Sequence, residues 1–385
     1  MASEAPGASG APGAPGGTGA LSVAGAGPAG LAAAILAARA GWRVTVYERR
    51  GRVGARFHGD LQGLESWSSV PDVLQELDRW GIAPTFRCHP VRELTVFDPQ
   101  GRAHRCRARR PFLHLVRRGP EPESLDQALR RQAEALGVRL RLGEAAPPPG
   151  RGWRIQAVGP RGGNIVARGW VFDTSAPDGC WAAASDRLAP KGYAYLLVAG
   201  GRGTVAVCLF AELGRARACL EAALAFFGER VGLGTPRLPM HRPRPFGGAG
   251  LFAPAARAVQ GRVLRVGEAA GFQDALFGFG IRYALRSAVL AVEAVLAGDP
   301  QAYERAWRRE LAPRFRTAVV NRWLYERLGD GGYGGFLRAV AAAPDLRRWL
   351  RRYYGPSPWK GLLHPLARRR VACLARGAAR DPAGG

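Results

Sequence analysis

The sequence predicts an α/β protein: a Rossmann-type dinucleotide-binding domain, an antiparallel β-sheet inserted into it, and a helical C-terminus. Three observations predict this class. A glycine-rich turn joins an apolar strand to an Ala/Leu-rich helix near the N-terminus. A second strand-to-helix glycine motif follows far downstream. Between them, short runs of β-branched and aromatic residues alternate with turn signals.

The first motif has its parts in register. Leu21-Ser22-Val23-Ala24 reads as a buried strand, and Gly25-Ala26-Gly27-Pro28-Ala29-Gly30 matches G-x-G-x-x-G. Leu31 to Ala40 reads as a helix, and Arg43 to Tyr47 as a second strand ending at Glu48. Gly25 permits a tight turn, Gly27 lets backbone approach a pyrophosphate, and Gly30 lets helix and strand pack closely. Pro28 and Ala29 lie where a helix N-terminus offers its N–H groups to phosphate. Glu48 stands where an acid accepts the adenosine ribose hydroxyls. An acid there disfavours a 2′-phosphate; its neighbour Arg49, and Arg56 further on, are additional candidate contacts.

Composition narrows the class. The 385 residues are long enough for two or three domains, and the formal net charge is +26. Of the 56 basic residues only Lys191 and Lys360 are lysines, and the arginines are scattered, so the charge reads as compositional bias. No nucleic-acid-binding motif is found, and nucleic acid is not expected as a partner. The six cysteines form no C-x-x-C pair and show no metal-ligand spacing, which fits reduced thiols in a cytoplasmic protein without a metal site. Residues 1–19 are nearly all Ala, Pro, Gly and Ser and read as a disordered tail, not a signal peptide.

The downstream motif runs Val263 to Val266 as a strand, then Gly267-Glu268-Ala269-Ala270-Gly271, then Gly278-Phe279-Gly280-Ile281 and a helix from Arg282 to Leu296. Together the two motifs resemble those of the FAD-dependent oxidoreductases that include geranylgeranyl reductases, aromatic-ring hydroxylases and flavin-dependent halogenases. The resemblance implies FAD as cofactor. It places Glu268 at the ribityl or pyrophosphate region and the backbone of Gly278, Gly280 and Ile281 at the flavin ring. Glu268 departs from the family's usual Asp. Ile155 to Gly159 resembles the strand and turn that return beneath the adenosine, making Val158 and Gly159 contacts, and Arg118 falls where an arginine often touches FAD. The implied division assigns 20–85, 111–160 and 255–300 to the FAD-binding domain, 86–110 and 161–254 to the sheet, and 301–385 to a helical, basic region.

In the inserted part, Glu93–Phe97, Trp170–Thr174, Ala194–Val198 and Thr204–Leu209 read as strands, with Gly200-Gly201-Arg202-Gly203 as a hairpin turn. Lys191 to Tyr195 resembles the Gly-Tyr-x-aromatic stretch of the reductases' isoprenoid pocket, so Tyr193 and Tyr195 are candidate pocket and catalytic residues. That stretch normally continues Phe-Pro; here it reads Leu197-Val198. Where the reductases carry a Cys-Gly-Glu-Gly run, this chain has His58-Gly59-Asp60-Leu61. His58 and Asp60 are candidates for proton transfer, since imidazole titrates near neutrality and a carboxylate can tune it; a loop that merely packs against the cofactor is the plainer reading.

At the C-terminus, Leu346, Trp349, Leu350 and Tyr353 share one helical face, opposite Arg347, Arg348, Arg351 and Arg352. Such a basic amphipathic helix either packs on the protein's own core or lies peripherally on the inner face of a membrane. Gly329 to Gly335 reads as a loop. Three functions follow from the resemblance: reduction of C=C bonds in an isoprenoid or other lipid-like substrate, monooxygenation of a hydrophobic substrate, or electron transfer by an FAD-binding protein. There is no W-x-W-x-I run of the halogenases. With no second dinucleotide motif, the electron donor is expected to be transiently bound NAD(P)H or reduced ferredoxin.

Overall fold

The computed structural model describes residues 19–159, 162–252 and 257–378. The predicted N-terminal tail lies outside the described residues except for Gly19. Five strands form a parallel sheet in the order Arg139–Leu142, Arg43–Glu48, Ala20–Ala24, Trp153–Gln156 and Val263–Arg265; Val259–Gln260 adds an antiparallel edge. Val23, Val46 and Ile155 are fully buried, as a sheet covered on both faces requires. The helix Pro28–Arg39 packs against Leu125–Ala135 and Ile281–Leu296. Its residues Leu31 to Ile35 are fully buried, and the small alanines among them let three helices and the sheet meet at short range.

A seven-stranded sheet holds Glu93–Phe97, Ala103–Arg107, Ile165–Asp173, Gly179–Ala183, Tyr193–Ala199, Arg202–Leu209 and His241–Gly250. Every pairing is antiparallel except Glu93–Phe97 with Gly179–Ala183. The predicted hairpin turns at Gly200 and Gly201, whose φ values of 54° and 76° match the positive φ that tight hairpins demand. The sequence did not announce a third sheet of Leu61–Glu65, Leu113–Arg117 and Cys88–Val91. It is tied to the large sheet by Leu61 N donating to Thr204 Oγ1 at 2.9 Å.

Four helices follow: Pro300–Glu310, Ala312–Ala341, Leu346–Tyr353 and Pro358–Ala378. The glycine-rich stretch from Gly329 to Gly335, expected as a loop, is helical apart from a break at Gly329 (φ 54°, ψ −170°). Tyr333, Leu337 and Val340 are buried in an aromatic cluster, and that packing outweighs the poor helix propensity of glycine.

Candidate cofactor and substrate site

The glycines of the first motif have separate causes. Gly25 N donates to Tyr47 O at 2.8 Å, its φ is +100°, and a Cβ there would stand 2.5 Å from Ala157 O. A Cβ on Gly30 would stand 1.9 Å from Gly25 O. Both positions are therefore dictated by the chain itself. Gly27 differs: a Cβ there meets nothing within 4 Å. The space beside it lies outside the fold, where a phosphate would approach. The helix Pro28–Arg39 starts with no side-chain cap and no acid in its first turn, so its free N–H groups and dipole are left for an anion. Glu48 Oε2 accepts from Ala26 N and Oε1 from Arg50 N, each at 3.0 Å, which fixes the acid while leaving lone pairs for sugar hydroxyls. These residues fit a dinucleotide. Arg49 is exposed, Val158 is half-buried and Gly159 is exposed beside Arg56.

The downstream motif meets the first through an ion pair that spans the chain. Arg56 Nη1 lies 3.0 Å from Glu268 Oε2, and Arg56 Nη2 donates to Ala249 O at 2.7 Å. Asp274 organises the loop leading to Gly280: it accepts from Leu276 N (3.1 Å), Phe277 N (2.8 Å) and the Tyr354 hydroxyl (3.2 Å). Burial pushes the Asp274 carboxyl up to about 6. Gln273 Nε2 donates to Gly278 O at 2.8 Å. The helix Ile281–Leu296 begins at Gly280 without a side-chain cap, a second open N-terminus. Arg282 anchors this start, bonding Glu76 at 2.6 Å and Glu65 at 3.2 Å.

Pro28 and Ile281 line the same cavity, of about 470 Å³. Arg56, Asp60, Gln62, Arg118, Glu268, Gly278 and Gly280 line it as well, making this the candidate cofactor end. Arg118 is buried and clamps Asp126 in bidentate fashion (Nε 2.9 Å, Nη2 3.0 Å), while Nη1 donates to Gln62 Oε1 at 3.0 Å and the guanidinium stacks 4.0 Å over Phe57. Burial opposes its charge, but Asp126 more than compensates and holds the guanidinium firmly protonated. Gln62 Nε2 in turn donates to Asp60 Oδ2 at 2.8 Å. Arg118 thus reaches the site as the anchor of an Asp126–Arg118–Gln62–Asp60 chain. Asp60 is 1% exposed, and burial raises its carboxyl above the ordinary range despite bonds from His58 N and Gln62.

His58 is not brought to the cavity. Its side chain is exposed, and only its backbone N–H serves the site, donating to Asp60 Oδ1 at 3.1 Å. The left-handed turn at Gly59 (φ +87°) directs the imidazole outward while Asp60 turns in. Tyr193 and Tyr195 both line the cavity, their rings 6.0 Å apart. Tyr193 donates its hydroxyl to Phe277 O at 2.5 Å, coupling the strand to the cofactor loop. Burial pushes the Tyr195 phenol well up, and Cys208 and Asp60 add to the effect.

The far end is apolar and drawn from many segments. Trp67, Leu94, Phe112, Trp181, Phe277 and Phe336 contribute. So do Leu346, Trp349, Leu350 and Tyr353, the face of the C-terminal amphipathic helix. That face is spent on the cavity wall rather than turned outward. Nor is the opposite face simply solvated: Arg347 is 8% exposed and donates to the carbonyls of Ser66, Ser69, Val70 and Pro71. The Trp67 indole meets Phe279 edge to face at 4.8 Å, joining the apolar end to the glycine loop. Sequence reasoning missed Gln62, Asp126, Gln273 and Asp274, which carry no motif of their own; Asp274, three residues before the Phe277-Gly278-Phe279-Gly280 run, is the one with a local signal.

Comparison with known proteins agrees with this fold. Residues 23–60 match the model of an NAD(P)-binding Rossmann-like domain. A search of curated proteins by sequence finds no match. Among solved structures, a geranylgeranyl bacteriochlorophyll reductase-like protein from Thermoplasma acidophilum superposes with a TM-score of 0.68 at 18% identity, over 93% of this chain and 100% of its own. The chain has the fold of the FAD-dependent oxidoreductases. The flavin-dependent brominase Bmp2 is similar over 94% of this chain and 99% of its own (TM-score 0.64, 17% identity). The anhydrotetracycline hydroxylase OxyS from Streptomyces rimosus matches over 87% and 75% (TM-score 0.56, 20% identity). One architecture therefore serves reductase-like, halogenating and hydroxylating proteins.

Proposed function

We propose that this protein is an FAD-dependent oxidoreductase that reduces a C=C bond in an isoprenoid or other lipid-like substrate. The observation that carries the reading is one continuous cavity with both helix N-termini at one end and an aromatic, largely uncharged wall at the other. FAD, when bound, supplies the hydride. The chain's own residues do the rest. Gly27 and the open N-terminus at Pro28 would hold the pyrophosphate, Glu48 would hold the ribose, and the Arg56–Glu268 pair would help to hold the part of the cofactor between them. The uncapped helix start at Gly280 and Ile281 would offer its amides to the electron-rich edge of the ring. Trp349, Leu350 and Tyr353 seat the apolar substrate and exclude water. Asp60, kept protonated at higher pH than an ordinary carboxyl, gives the proton to the carbon that does not receive hydride. Tyr195 orients the double bond beside it. The Arg118–Gln62 chain holds the Asp60 carboxyl in place.

No helix among the described residues is long and apolar enough to cross a membrane. For peripheral contact with an anionic membrane we propose the last helix, where Trp359, Leu362 and Leu366 are exposed on one side and no carboxylate occurs between Asp345 and Asp381.

The test is anaerobic. The purified protein is checked for bound FAD, reduced with dithionite, freed of excess reductant and mixed with a geranylgeranyl lipid. Return of the oxidised flavin band without air, with a saturated product, supports the reductase. No return, followed by an oxygenated product once air is admitted, makes it a monooxygenase. Absence of bound flavin sinks the cofactor assignment itself. Replacing dithionite by NADPH or by reduced ferredoxin then identifies the electron donor.

A further inference from the structure

The helix Leu346–Tyr353 has two working faces. Its apolar face closes the cavity; the other face borders a separate depression of about 310 Å³. Five arginines line that depression: Arg109, Arg110, Arg347, Arg348 and Arg351. The carboxylate there, Asp345, is already spent on backbone: Oδ2 accepts from Arg109 N at 3.0 Å and Oδ1 from Arg348 N at 2.8 Å. Most arginines of this chain that lie near acids are paired with them, for example Arg282, Arg202 and Arg118. Among the described residues, the five around this depression make no salt bridge. Burial chiefly disfavours the charge of Arg347, Arg110 and Arg351 add to that, and Asp72 and Asp345 offset part of it, while four carbonyls fix the guanidinium in place. Like charges gathered around one concave surface, with one of them buried and immobilised, cost free energy unless an anion joins them.

We infer that this depression is a binding site for a phosphate- or diphosphate-bearing anion. Arg347 is its rigid floor, and Arg348 and Arg351, one turn apart on the helix, supply planar forks that suit phosphate oxygens. The ligand chemistry is the same whether the phosphate is free in solution or the headgroup of an anionic lipid. The site is independent of the redox assignment: it uses no residue of the cofactor end, and its test needs no turnover.

With a net charge of +26, any anion is attracted diffusely, so the experiment must be local. Sodium pyrophosphate is titrated calorimetrically into the full-length protein and into an R348Q/R351Q variant. A control, R217Q, removes an exposed arginine of the helix Ala216–Val231 that pairs with Glu221. Sedimentation with phosphatidylcholine vesicles containing phosphatidic acid forms the second arm. The expected result is saturable pyrophosphate binding that R217Q leaves alone and R348Q/R351Q weakens about tenfold or more. Vesicle binding lost in R348Q/R351Q but kept in R217Q, without pyrophosphate binding, assigns the site to lipid headgroups. Binding of neither probe overturns the inference. So does equal weakening by R217Q and R348Q/R351Q, since the attraction is then only the net charge. Circular dichroism of each variant confirms that the exposed substitutions leave the fold intact.

Discussion

The two ends of the main cavity are built by opposite strategies. The proposed cofactor end is centred on two short motifs, 25–30 and 278–281, in which backbone geometry sets Gly25, Gly30 and Gly278. The proposed substrate end is assembled from side chains of many separate segments, from Trp67 to Tyr354, constrained mainly by filling space against their neighbours, with the Tyr354 hydroxyl also tied to Asp274. The contrast teaches where tolerance to change should lie. Backbone contacts admit no substitute, whereas an apolar wall can be repacked while keeping its volume.

The largest effect should come from the glycines, and they allow the comparison to be broken within one loop. Gly30→Ala drives a methyl into Gly25 O at 1.9 Å, so folding itself should suffer by about 3 kcal/mol or more, seen as a thermal midpoint lowered by many degrees. Gly27→Val meets no protein atom near its Cβ. It should fold as the native chain does, with a nearly unchanged midpoint, yet retain FAD at least about tenfold less tightly. If Gly27→Val instead unfolds the protein, or binds FAD normally, Gly27 is not the phosphate-facing glycine.

Next in size is the chemical step. Asp60→Asn keeps the side chain's shape and one of the two bonds accepted from His58 N and Gln62 Nε2, but removes the acidic proton. Reduction should slow by about a hundredfold with FAD retention unchanged. In the native protein the rate should fall as pH rises through the elevated Asp60 titration, because the acid form is the active one. The variant should lose that limb of the profile. An unchanged profile in the variant would assign the proton to Tyr195 or to water.

The substrate end should respond more mildly. Trp349→Ala enlarges a half-buried part of the wall, so KM for a lipid substrate should rise about tenfold with kcat little altered, while Trp349→Phe restores most of the affinity. Equal losses in kcat and KM across both variants would mean that the wall also orients the reacting bond.

This asymmetry explains what the sequence could and could not disclose. The turn at Gly25 and the helix start at Ile281 were legible because local backbone conformation demands particular residues at fixed spacing. The Arg56–Glu268 pair was half legible: Glu268 stood in a motif and Arg56 among the candidate contacts, but nothing local joined them across the chain. His58 and Asp60 looked equivalent in the sequence, and only the left-handed turn at Gly59 separates an exposed imidazole from a buried carboxyl. The C-terminal amphipathic face was visible as a pattern, but its partner was not, because hydrophobic periodicity says that a face is covered and never by what. The Gly329–Gly335 helix was misleading, since tertiary burial of Tyr333 and Leu337 overrides propensity.

The smallest effect concerns the sheet that connects the two ends. His114 Nε2 meets Asp72 at 3.0 Å, joining the strand Leu113–Arg117 to the cap of the helix Val73–Arg79. Burial disfavours the imidazolium, but the hydrogen bond to Asp72, with a further contribution from Cys88, outweighs it and pushes His114 up to about 9. The folded value lies above the unfolded one of about 6.5. The pair's contribution to stability is therefore full below that unfolded value, and it is lost as pH rises through about 9. The native protein should lose thermal stability between neutral and mildly alkaline pH, and His114→Gln should be less stable at neutral pH with that slope reduced. Measured on the FAD-loaded protein, the same titration tells whether the connecting sheet belongs to the cofactor end. If flavin release tracks the loss of the pair, the sheet supports the cofactor; if stability falls while flavin stays bound, the two ends are energetically separable despite sharing one cavity.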